Sequence, residues 1–151
     1  MQHHRRVTAL AVAFLLASFS LPLGGCASKN RTAEGRTKPK GRILENGLPI
    51  KIRTENLPPG DSGMKVTFIK ISSADAGEEI QAQITDAAEG SFELIGADAK
   101  GIPPGKYRVV ILMAPEGGTD HFKGKYSREQ SKIEVEVKDC EDLVIDVANY
   151  K

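Results

Sequence analysis

The chain has 151 residues, with 21 Lys+Arg against 20 Asp+Glu, two Cys and no Trp. That length is a prior for one folded domain. The near balance of charge argues against a dedicated nucleic-acid binder, which carries a strong basic excess. Two cysteines exclude a disulfide framework or a Cys/His zinc set.

The N-terminus is read apart from the rest. Arg5 and Arg6 form a positive n-region, and Val7 to Leu21 forms an apolar h-region that is short for a membrane span. Leu23-Gly24-Gly25-Cys26 follows, an aliphatic residue and two small ones before a cysteine. This order resembles the lipobox of bacterial lipoprotein signal peptides. The resemblance implies lipid on the Cys26 sulfur, cleavage before Cys26 and acylation (a palmitate-type modification) of the new N-terminus. An ordinary secretory signal, with Cys26 merely near the cut, is the alternative reading. Several acyl chains, at about 0.8 kcal/mol per buried CH₂, would anchor the protein firmly. Loss of Arg5 and Arg6 leaves 19 basic against 20 acidic residues, a mature charge of −1. Cys140 then has no partner within the chain and is expected to be a small, buried or half-buried residue; pairing between chains is the alternative.

Residues 26–40 are expected to be a flexible tether, because they hold nothing apolar enough to bury. The tether is basic, with Lys29, Arg31, Arg36, Lys38 and Lys40 against Glu34, which suits either a solvated spacer or contact with an anionic leaflet. Ala27, where an inner-membrane retention signal would place Asp, favours the outer membrane. The expected organisation is a signal peptide over 1–25, the tether over 26–40 and a β domain over 41–151.

Short strand-like segments then recur about every ten residues. Gly41 to Glu45 is followed by an Asn46-Gly47 turn, and Pro49 to Thr54 places Ile50 and Ile52 on one face. Met64 to Ile71 is a strong strand. Glu78 to Thr85 alternates through Ile80, Ala82 and Ile84, and Ser91 to Ile95 turns Phe92 and Leu94 inward. Pro103-Pro104-Gly105 leads into the β-branched run Tyr107 to Met113, expected to be a central strand covered on both faces. Ser131 to Lys138 places Ile133, Val135 and Val137 inward, and Asp142 to Ala148 does so with Leu143, Ile145 and Val147. The spacing predicts an all-β sandwich. Its core is expected to include Val66, Phe92, Val109, Ile111, Val135 and Ile145.

Several motifs occur in a telling order: Asn46-Gly47-Leu48-Pro49, Lys65-Val66-Thr67-Phe68, then Thr85-Asp86 with Gly90-Ser91-Phe92. Ile102-Pro103-Pro104-Gly105-Lys106-Tyr107-Arg108-Val109 and Lys125-Tyr126-Ser127 complete it. The order resembles the transthyretin-like, or carboxypeptidase regulatory-like, domains found in small lipoproteins of planctomycete bacteria. The resemblance covers roughly Gly41 to Val147 and implies a seven-stranded antiparallel Greek-key β-sandwich, transthyretin-like or Ig-like. Hydroxyisourate hydrolases share that fold, but their C-terminal Tyr-Arg-Gly-Ser and their histidines have no counterpart here.

No catalytic constellation, cofactor motif or metal-ligand spacing is present, so a non-catalytic role is expected. His121 is the only histidine left after the signal is removed. With Phe122 and Tyr126 it marks the 115–126 loop as the possible contact for a ligand or partner. The expected role is a binding or structural module, lipid-anchored in the cell envelope at the periplasmic or outer surface. Its partner would be another envelope protein; a polysaccharide held by Phe122 and Tyr126 is the alternative.

Overall fold

The computed structural model describes residues 35–50, 57, 61–71, 77–114, 118–139 and 141–150. The signal segment, Cys26, the first part of the tether, Ile52 and Cys140 lie outside the described residues. Nine strand segments follow one another: β1 (Lys40–Glu45), β2 (Leu48–Pro49), β3 (Met64–Lys70), β4 (Glu79–Gln81), β5 (Gln83–Asp86), β6 (Ser91–Glu93), β7 (Gly105–Met113), β8 (Glu134–Val137) and β9 (Leu143–Asp146). A short 3-10 helix, Val147–Asn149, ends the chain's regular structure.

The strands form two sheets. In one, β1 pairs with β2, β6 and β9, and β5 lies beyond β6; the other has the order β4-β3-β7-β8. The core lies between them, lined by the apolar residues on the facing sides of the two sheets. Ile43, Phe92, Leu94 and Ile145 are buried from the first sheet, and Val66, Phe68, Tyr107, Val109 and Ile111 from the second. Phe68 meets Phe92 across the layers with ring centroids 5.7 Å apart, and Tyr107 meets the edge of Phe68 at 6.3 Å. Such tilted and edge-on pairs add to the area that the rings bury. The fold is therefore all-β and sandwich-like.

Turn chemistry sets the registers. Asn46 and Gly47 both have positive φ, 55° and 76°, as the two-residue β1–β2 hairpin requires. Between β5 and β6, the Asp86 carboxylate accepts from the backbone N–H of Ala88 and Glu89 at 2.9 and 3.2 Å. Gly90 closes that turn at φ 62°, where an added Cβ would lie 2.7 Å from the Ile43 carbonyl oxygen.

Four expectations need correction. First, β9 runs parallel to β1, with Gly41 opposite Leu143 and Leu44 opposite Asp146. The chain reverses direction between β8 and β9 as it passes from one sheet to the other, so β9 enters beside β1 from the end where β1 itself starts, and no hairpin joins the two. Second, the alternating stretch at 78–85 is two strands, β4 pairing with β3 and β5 with β6. It changes sheets at Ala82, whose N–H still bonds Val66 O at 2.9 Å. Third, β7 is central, between β3 and β8, but its outer face is only partly covered. Val110 is half-buried and Leu112 is 44 % exposed, because β7 belongs to an outer layer of the sandwich. Val135, on β8 at the edge of that sheet, is likewise only partly buried.

The fourth correction concerns the tether. Its last residues are docked on the domain. Thr37 is fully buried and exchanges two backbone hydrogen bonds with Ile102, at 2.9 and 2.8 Å. Pro39 O accepts from Leu94 N at 3.0 Å. The Arg36 guanidinium holds both oxygens of Asp98 at 3.1 and 2.9 Å.

Candidate functional site

The strands carry the loops to two opposite ends. Thr37 and Ile102 are bridged, so β1 and β7 start from the same end. A six-residue strand such as β1 spans about 20 Å. β9 is parallel to β1 and finishes beside the β1–β2 turn. There the Asp146 carboxylate accepts from Asn46 N at 3.0 Å, Gly47 N at 2.7 Å and Ala148 N at 3.0 Å. β7 finishes at Met113, next to the 118–126 loop. The far end of the sandwich therefore gathers the β1–β2 turn, that loop and the C-terminal 3-10 helix. The entering segment 36–39 lies at the other end.

The three loop residues singled out in the sequence are all at the far end. Asp120 organises the loop: one carboxylate oxygen accepts from Met113 N at 3.0 Å and the other from Gly124 N at 2.7 Å. His121 donates its backbone N–H to Met113 O at 2.8 Å. Its ring is exposed and meets Phe122 edge-on at 5.0 Å. Asp120 is thus committed to backbone groups. Phe122 is half-buried against the core and meets Tyr126 at 4.9 Å. Tyr126 is only 3 % exposed, and its hydroxyl donates to Val147 O at 2.7 Å. Phe122 and Tyr126 therefore close the end of the core. Among the described residues, no three His, Cys, Asp or Glu side chains stand together as metal ligands do.

Tyr150 was missed as a site residue. It follows the last apolar alternation in the sequence, but the 3-10 helix turns it back, with Tyr150 N bonded to Val147 O at 3.2 Å. Together with Lys125, Tyr126, Glu129, Gln130 and Lys132 it lines a groove of about 370 Å³. The Lys125 ammonium stands 4.9 Å from the centre of the Tyr126 ring, within cation–π range.

A second depression, of about 510 Å³, lies at the entry end between Arg36, Glu79, Gln81, Asp98 and Ile102. The backbone N–H of Lys100, with the Arg36 guanidinium adding to it, holds the Asp98 carboxyl below the ordinary carboxylate range. The Arg36–Asp98 contact, one of those that dock residues 36–39, lies in this depression.

A scan against protein-family models, a search of curated proteins and a search of solved structures each return no match. The sequence and the geometry alone bear on function.

Proposed function

We propose that the chain is a lipid-anchored, non-catalytic module of the cell envelope, built on a transthyretin-like Greek-key sandwich and placed in the outer membrane. One observation carries this reading: the folded unit starts ten residue steps after Cys26 and its entry end is opposite the loop end. Ten residues reach at most about 35 Å, so a lipid on Cys26 would keep the entry end close to the bilayer and present the other end outward. The exposure of His121 and the backbone bonds of Asp120 support a non-catalytic role, since a general base needs a group that orients it. The partner would be an envelope protein docking at the outward loops.

The test is processing and mass. Wild-type protein from cells should carry acyl chains on residue 26 and lack residues 1–25. Cys26→Ser should accumulate as unprocessed precursor; normal processing of that variant would refute lipidation. Crosslinking in intact cells should then recover discrete proteins.

A polysaccharide ligand is the second reading. The half-buried Tyr150 in a lysine-flanked groove favours it, and the site moves from Phe122 to Tyr150.

A further inference from the structure

We propose that the groove between Tyr150 and the 125–132 segment binds an acidic polysaccharide, a chain of uronic-acid sugars. This inference rests on the second reading above and gives it a site and a ligand chemistry. The groove has the two components that such a polymer needs. Tyr150 supplies part of an aromatic surface on which the C–H face of a sugar ring can stack, with a hydroxyl for the ring's oxygens. Lys125 and Lys132 supply point charges for carboxylates spaced along the chain. Neither lysine has an ion-pair partner among the described residues. Glu129, the one acid among the groove's described residues, already accepts from Ser127 Oγ at 3.0 Å. Among the described residues, the groove thus has two cations against one anion.

The site is also held in shape before any ligand arrives. Tyr126 is fixed by its bond to Val147 O and by the edge of Phe122. Tyr150 is fixed through its own N–H on the 3-10 helix and by packing on the core. Ordering these side chains therefore costs little on binding. A polymer suits the groove better than a small ligand does, since small-ligand pockets enclose most of their ligand's surface and this one is open. Its Tyr126 and Tyr150 side, tied to the 3-10 helix at the far end, faces polymer that lies away from the anchored lipid. The near-neutral mature chain, 19 basic against 20 acidic residues, makes the local excess of lysine the attractive feature.

The test uses the full processed chain in detergent micelles, titrated calorimetrically with a galacturonic-acid hexasaccharide, a neutral glucose hexasaccharide and monomeric galacturonate. The acidic hexasaccharide should bind, the other two should bind at least about tenfold more weakly, and salt near 0.5 M should weaken the acidic arm. Lys132→Glu, on the exposed rim, and Tyr150→Ala should each lower affinity roughly tenfold with the thermal transition of Lys132→Glu unchanged. Equal binding of neutral and acidic oligomers, monomer binding as tight as hexamer, or a Lys132→Glu variant that binds like its parent would overturn the proposal. The mass spectrum of the same preparation separates the two levels of inference. Acylated protein that binds no acidic oligomer removes the groove proposal alone, and unacylated protein that does bind removes the anchor alone.

Discussion

Asp146 has more structural work than any other carboxylate at the far end. It receives three backbone N–H groups, two from the β1–β2 turn and one from the 3-10 helix. Hydrogen bonds to a charged acceptor contribute more than neutral ones, and a donor left without a partner carries a desolvation cost. Asp146→Ala should therefore destabilise the domain by about 1–3 kcal/mol, measured by urea denaturation, and Asp146→Asn should recover only part of the loss. A change below about 0.3 kcal/mol would mean that water replaces the carboxylate at no cost. This role was not legible in the sequence, because Asp146 lies a hundred residues from Asn46 and nothing local relates them. Gly41 has the same character. A Cβ there would lie 2.4 Å from Phe92 Cζ and 2.6 Å from Leu143 O, so glycine is required by two distant neighbours and not by a turn. Tyr126 was legible as an aromatic of the loop, but its burial depends on Val147, twenty-one residues further on.

At the scale of elements, alternation located most strands well. Val66, Phe92, Val109, Ile111 and Ile145 are all nearly buried, as their spacing predicts. What alternation could not settle was the sheet to which each strand belongs. A period of two survives the change of sheet at Ala82, since the inward side remains inward when a strand crosses from one layer to the other. The run from Tyr107 to Met113 misled in a different way. β-branched residues favour extended backbone on solvent-facing positions too, so Val110 and Leu112 need no cover. The consequence is a contrast between neighbours. Ile111→Ala should cost about 2–5 kcal/mol, as a buried truncation does, whereas Leu112→Ser should stay within about 0.5 kcal/mol. Chemical denaturation of the two variants measures both. A large loss at Leu112 would indicate that something covers the outer face of the four-stranded sheet.

At the scale of the whole molecule, the docking of residues 36–39 decides which way the domain points. Its exposed component is the Arg36–Asp98 pair, and exposed pairs contribute little on their own. The folded pKa of Asp98 is depressed, so its contribution is fully present above the unfolded value and is lost as pH falls through the folded one. Acid below the usual carboxylate range should therefore loosen Arg36, and Asp98→Asn should remove that part of the pH dependence. The backbone bridge of Thr37 to Ile102 should persist through this change, since neither group titrates. Amide exchange at Thr37 against pH measures it: protection lost together with the Arg36 contact would show that the ion pair, and not the bridge, holds the segment. With the bridge intact, the proposed anchor at Cys26 leaves a reach of at most about 35 Å and a fixed end toward the bilayer. Single fluorophores at Ala99 and at Asn46, in protein reconstituted in vesicles with a headgroup-linked quencher, should then differ. Ala99, near the entry end, should be quenched strongly, and Asn46, on the turn beyond β1, weakly. Equal quenching at both positions would mean that the domain tumbles on its lipid, and the far-end groove would then have no preferred direction.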